Sequence, residues 1–372
     1  AVPAAPPTAS SPRPAARAQA RRRLLVASAA AVVGGGTLRQ EARSAEEEEP
    51  LALAVRGDRL VPVGSSDMEA SLAQADVVLL GEHHNQLDDH VLELKVVQSM
   101  HENAQGSGRP LSVGLEMVQQ RFQPVLDRYV MGDISEHQLF RGTEWSKRWV
   151  WAFELYTPVL RFCREAGVRL VALNTNNECL SKVERNGFEG LRPEDWRQYI
   201  PDRTGFAKMA AQPEFKTYLQ TVLMPSYDLH QRLGVMTRTV TGQTLKEPMT
   251  LKNFIAGRLL WDESMAGAAV RAGCERPGQV CVLVGGDHVK YQYGLRSRME
   301  RLSQLPSAGA PWDSRPLRVV SMMLNPTPED TLAPPGAERL ALQMPVVAKG
   351  EEATRTFVPL ADYVLVSRGA EA

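Results

Sequence analysis

Residues 77–84 read Val77-Val78-Leu79-Leu80-Gly81-Glu82-His83-His84. Four consecutive apolar residues, two of them β-branched, describe a strand buried on both faces, as in a parallel sheet. Gly81 lets the backbone turn at the end of the run, and Glu82, His83 and His84 crowd onto that turn. Open α/β sheets bind ligands at the carboxyl ends of their strands. Metal-capable side chains therefore stand where such a fold places its chemistry. Roughly two hundred residues later the pattern recurs: Val280-Cys281-Val282-Leu283-Val284 runs into Gly285-Gly286-Asp287-His288. Both turns contain Gly-x-x-His, at Gly81 to His84 and at Gly285 to His288.

Working outward, apolar runs at 111–115, 168–173, 279–284, 317–324 and 362–366 read as further strands. Helical spacing separates them. Leu87, Val91, Leu94, Val97 and Met100 mark a helix over 86–102, and others are expected over 119–129, 153–166, 214–233, 251–272 and 293–305. Segments 131–151, with Trp145, Trp149 and Trp151, and 176–203 show no regular period. Strands alternating with helices predict an α/β fold with a mainly parallel sheet flanked by helices. An α-helical excursion over about 176–272 is expected above the carboxyl edge of that sheet.

Further polar side chains fall on the same edge. The run at 111–115 delivers Glu116, a carboxylate that can ligate a metal or act as a base beside imidazoles. His90 lies one turn into the helix that follows Gly81–His84. Arg121 travels with Glu116 and is also its simplest ion-pair partner. The sequence contains no Gly-x-Ser-x-Gly elbow, Walker loop or Gly-x-Gly-x-x-Gly fingerprint, which removes support for serine hydrolase, P-loop and Rossmann readings.

The chain of 372 residues is long enough for one large domain or two small ones. Residues 1–40 hold six arginines and no acid. Removing those six from 43 Lys and Arg, against 43 Asp and Glu, leaves the remainder near −6. A mildly acidic body argues against a nucleic-acid surface. Arg21-Arg22-Arg23 precedes a ten-residue apolar run at 24–33, too short to span a bilayer. The Ala-, Pro- and Arg-rich start fits a targeting leader over residues 1–49, of the bipartite kind that carries plastid proteins to the thylakoid lumen. The folded body is then expected over 50–372. Cys163, Cys179, Cys274 and Cys281 show no Cys-x-x-Cys spacing and read as free buried thiols.

Leu80-Gly81-Glu82-His83-His84-Asn85 with His90 resembles the opening motif of the ChaN-like haem-binding uptake proteins of the Tiki superfamily. So do Gly114 to Met117 with Arg121 to Asp127, Thr143-Glu144-Trp145 through Tyr156-Thr157-Pro158, and Leu170 to Asn174. The match continues with Trp261 to Ala266 and Gly285 to His288, and spans roughly 68–305. The resemblance implies a site of two Gly-x-x-His motifs, a glutamate and an arginine. These land on His84, His288 and Glu116, with Arg121 and Arg258 competing for the last place. ChaN-type members imply haem or iron bound in a homodimer through a tyrosine, for which Tyr227, Tyr291 and Tyr293 are candidates. Tiki-type members imply a metal-dependent protease in which Zn, Mn or Co sits on the His/Glu/His group and Glu82 is a ligand or general base. A metal-stabilised binding module without turnover is the third expectation.

Overall fold

The computed structural model describes residues 49–305, 315–331, 339–345 and 355–367. All of the expected leader except Glu49 lies outside the described residues.

Ten strands are described: β1 (Leu51–Arg56), β2 (Arg59–Pro62), β3 (Val77–Glu82), β4 (Leu111–Gln119), β5 (Arg169–Asn174), β6 (Gln279–Gly285), β7 (Val319–Leu324), β8 (Ala341–Pro345), β9 (Arg355–Pro359) and β10 (Tyr363–Val366). Eight form one sheet in the order β2-β1-β10-β7-β3-β6-β4-β5. The pairings from β10 through β5 are all parallel, while β1 runs antiparallel to β10 and to β2. β8 and β9 make a separate antiparallel pair.

The apolar runs are continuous because both faces of the sheet are covered. Val77, Leu79, Val280, Val282 and Val284 enter a core that includes Leu260, Met265 and Met299. Val78, Leu80, Cys281 and Leu283 enter the opposite core with Leu92, Val96, Tyr156 and Leu160. Each such side chain removed from water stabilises the fold by about 1.5–3 kcal/mol. Helices Leu87–Ser107 and Phe153–Glu165 cover the second face, and helices Leu251–Glu275 and Arg296–Leu302 the first. No helix among the described residues is long and apolar enough to cross a membrane.

Several elements depart from sequence expectation. The hairpin β1–β2 was not anticipated; it turns at Gly57, whose φ of 61° lies in the left-handed region that favours glycine. The helix expected over 214–233 is broken into Pro213–Tyr218, a π-helical stretch Leu219–Leu223, and Met224–Arg232. Pro225 explains the break, since it has no N–H to give to the preceding turn. The unorganised 176–203 holds helices Asn177–Asn186 and Pro193–Tyr199, and 131–151 holds Glu136–Gly142 and Trp145–Arg148. Ser135 and Gln138 cap the third of these reciprocally. The helix expected from 293 starts only at Arg296, because Tyr291 and Gln292 take positive φ values of 55° and 69°.

Candidate metal and haem centre

β3, β6 and β4 are consecutive neighbours in the sheet, so the two Gly-x-x-His turns and Glu116 arrive at one edge. Glu116 lies within β4, which continues to Gln119 with a register shift against β5 between Leu115 and Gln119. The structure brings His84, Glu116 and His288 together. His84 Nε2 stands 3.8 Å from Glu116 Oε2, and His288 Nε2 stands 3.4 Å from Glu116 Oε1. Glu116 is also held by the Gly285 backbone N–H, which donates to Oε2 at 2.6 Å.

Each imidazole is oriented from behind. Glu82 Oε1 lies 2.7 Å from His84 Nδ1, and Asp262 Oδ1 makes a short contact with His288 Nδ1. A carboxylate on Nδ1 fixes the ring and leaves Nε2 to face a ligand, as carboxylates behind ligating histidines do at metal centres. Gly285 is required by crowding: a Cβ there would sit 2.8 Å from His84 Nε2. Gly81 is likewise enclosed, by Met323 Sδ at 2.9 Å and the Gly286 backbone at 3.2 Å.

The charges are strongly coupled. Burial pushes the Glu116 carboxyl up, yet His288, His84 and the Gly285 N–H outweigh it and hold the group at about 2. Burial lowers His288, but Glu116 and Asp262 lift it to about 9. His84 is raised in the same way, its burial overcome by Glu116 and Glu82. An anion between two imidazoles gives an N,N,O donor set, which suits Zn, Mn, Fe or Co. The 3.4 and 3.8 Å spacings are close to the ~3.3 Å between ligands of a four-coordinate ion with bonds near 2.0 Å. Glu116 thus lies within reach of each imidazole, while among the described residues the group whose ligand atoms all lie within 4.8 Å of one another is Glu82, His90 and Glu93.

Glu82 shares the face of Val78 and Leu80, so it points toward the helices on that side. Tyr156 Oη donates to Glu82 Oε1 at 3.0 Å, and His90 Nδ1 lies 3.1 Å from Oε2. His90 is thus buried behind Glu82, its ring 4.5 Å from that of Tyr156. Its Nδ1 also meets Glu93 Oε2 at 2.9 Å. Burial, reinforced by the Glu82 charge, pushes Glu93 up to about 8.

Three half-buried indoles border the group. The Trp149 ring stands edge-on to His84 with centroids 4.9 Å apart, Trp151 is 5.9 Å away, and Trp261 is 5.6 Å from His288. Arg258 stacks over Trp261 at 5.5 Å and faces Asp287 at 3.6 Å. Arg121 is turned outward instead: its guanidinium pairs with Glu178 at 3.1 Å, and both side chains are about half exposed.

The candidate tyrosines are dispersed. Tyr291 is buried and donates to the Arg339 carbonyl at 2.8 Å. Tyr227 is half-buried and donates to the Met249 carbonyl at 3.2 Å. Tyr293 is half-buried, its ring 6.0 Å from that of Tyr218. Sequence reasoning missed Asp262, Tyr156 and Glu93 as partners of the site. For Asp262 the available signal was an acid at an inward position of the largely apolar stretch Leu259–Ala269, which packing alone does not explain. None of the four cysteines forms a disulfide, and Cys163, Cys179 and Cys281 are buried.

ChaN of Campylobacter jejuni, described with cofacially bound haem, superposes with a TM-score of 0.52 at 17% identity, covering 87% of this chain and 98% of that one. That likeness concerns the fold. The chloroplastic protein RETICULATA-RELATED 5 of Arabidopsis thaliana is 25% identical over 244 residues, 62% of this chain. The aligned region spans 30% of that relative's length. The model of the haem-binding uptake family of the Tiki superfamily, ChaN, matches residues 68–299, and the chain belongs to that family.

Proposed function

We propose that this chain is a haem- or iron-binding protein of the plastid. The observation that carries the reading is the aromatic border of the site: Trp149 and Trp151 against His84, and Trp261 against His288. A porphyrin needs a flat apolar wall beside an iron ligand, and three indoles flanking two imidazoles supply such a wall. Membership of a family described as haem-binding supports the same reading. Among the candidate tyrosines, Tyr227 and Tyr293 are the better candidates for an iron ligand, because they are half-buried whereas Tyr291 is fully buried. Haem shared between two copies of the chain, as in a homodimer, would bring such a ligand onto iron.

His84, Glu116 and His288 would hold iron or another divalent ion such as Zn, Mn or Co. The ion would supply Lewis acidity when bound. The chain's own part is to fix both imidazoles through Glu82 and Asp262 and to offer one carboxylate oxygen from Glu116. A metal-dependent hydrolase would draw on the same three residues. Glu82, however, is committed to His84 and Tyr156, and Arg121 to Glu178, so neither faces the group as a base or an oxyanion partner. We therefore favour haem or iron binding. The chloroplastic relative and the Arg-rich residues 1–49 support plastid import, with the thylakoid lumen as the destination of the ChaN-like body over 50–372 and its helical insertion.

Haem titrated into the full chain tests the proposal. A Soret shift should saturate, weaken at least ten-fold with Trp149→Ala or Trp261→Ala, and vanish with Tyr227→Phe or Tyr293→Phe. No shift in the wild-type chain would overturn the haem reading. A shift untouched by Tyr227→Phe, Tyr291→Phe and Tyr293→Phe would overturn the tyrosine assignment.

A further inference from the structure

We propose that Glu82, His90 and Glu93 form a second cation site, buried behind His84 and distinct from the His84–Glu116–His288 group. One ligand atom from each of the three lies within 4.8 Å of the others. His90 Nδ1 is 2.9 Å from Glu93 Oε2 and 3.1 Å from Glu82 Oε2. These separations are near the ~3.3 Å that a four-coordinate ion with bonds of about 2.0 Å imposes on its ligands. The residues are 2%, 1% and 0% exposed, so water does not balance their charge.

Two independent features point to an ion. First, Glu82 Oε2 and Glu93 Oε1 are fully buried and have no hydrogen-bond partner. A buried carboxylate oxygen left unpaired is costly; without an ion the only compensation is the proton that Glu93 keeps up to about 8. Second, His90 Nε2 faces the His84 carbonyl oxygen at 3.3 Å. An Nε2–H donating there fixes the ring so that Nδ1 is the atom presented to both carboxylates; without an ion they outweigh burial, keep a proton on it and raise the ring to about 9, and an ion would take that proton's place. Two carboxylates and one imidazole nitrogen form an O,O,N set for a divalent ion such as zinc, manganese or ferrous iron. Glu82 would then couple the sites, with Oε2 on the inner ion and Oε1 on His84 Nδ1. Tyr156 Oη would remain its hydrogen-bond donor on Oε1.

The test is metal stoichiometry of the full chain produced in cobalt-supplemented medium, with elemental analysis and the visible d–d bands of Co(II) as readouts. Wild type should hold two ions, and Glu93→Gln and His288→Asn one each. X-ray absorption of the ion retained by His288→Asn should show a shell of one imidazole and carboxylate oxygens. That second variant keeps the proposal testable if Glu93→Gln does not fold. One ion in wild type that is lost in His288→Asn and kept in Glu93→Gln would overturn the inner site while sparing the outer one. One ion lost only in Glu93→Gln would uphold the inner site and overturn the outer.

Discussion

Replacing Gly285 by alanine adds one methyl group at the point where β6 passes the His84 ring. The backbone at Gly285, with φ −58° and ψ 143°, is one that alanine adopts, so the effect is purely steric. The new Cβ would lie 2.8 Å from His84 Nε2 and 3.1 Å from Cε1, against ordinary contacts that begin at 3.4 Å. The ring must retreat by about 0.6 Å. It has little freedom to do so, since Glu82 holds Nδ1 at 2.7 Å and Trp149 stands edge-on. Overpacking of this kind costs about 1–3 kcal/mol of stability. Displacing an oriented ligand weakens metal affinity by about 10–100-fold. Urea unfolding and a Co(II) competition titration read the two effects separately. Gly106→Ala is the control: that glycine lies in helix Leu87–Ser107 with nothing within 4 Å, so alanine should stabilise by about 0.5–1 kcal/mol. If Gly285→Ala matched wild type in both assays, the crowding argument for the glycine of Gly-x-x-His would be wrong.

Three further outcomes are expected. Glu263→Gln should destabilise the fold by about 3–5 kcal/mol, because the fully buried Arg298 would lose its carboxylate at 3.0 Å and Arg301 its contact at 2.7 Å; thermal unfolding checks this, and a loss under 1 kcal/mol would contradict it. Asp262→Asn should leave the fold intact but lower metal affinity about 10–100-fold by releasing His288 Nδ1, measured by the same competition titration. Burial pushes Glu184 up to about 7 from 4.5, despite the Val240 N–H at 2.7 Å. A carboxyl raised on folding contributes stability that is fully present below 4.5 and lost as pH rises through 7. The unfolding midpoint of wild type relative to Glu184→Gln should therefore fall across that window, and a pH-independent difference would refute the assignment.

The parallel core was readable because its strands are buried on both faces, which turns alternation into continuous apolar runs such as Val77 to Leu80. The His84, Glu116 and His288 positions were readable for the same reason, as polar residues at the ends of runs that packing alone does not explain. Their supporting shell was not. Asp262, Glu93 and Tyr156 sit within helices, and only the facing of helices Leu251–Glu275, Leu87–Ser107 and Phe153–Glu165 onto the sheet gives them partners. The broken helix around Pro225 and the hairpin β1–β2 escaped because short elements on an exposed edge carry weak periodicity. Glu82 illustrates the remaining gap. Its side chain belongs to the face of Val78 and Leu80, so it turns behind the imidazole rather than into the mouth of the site.

The sheet order carries a consequence for how the chain is made. Val77 pairs with Val280 on one side and Val319 on the other, although β3 is only the third of the described strands in chain order. β1, the first of the described strands, is bordered by β10, the last of them. The strand β3 therefore has no neighbour in the sheet until β6, which starts at Gln279, has left the ribosome. Loop closure across such separations is slow, so β3 should stay available to chaperones, and its amides open to exchange, until β6 and β7 arrive. A nascent chain halted before residue 319 would expose one edge of β3 and carry His84 without a finished strand behind it.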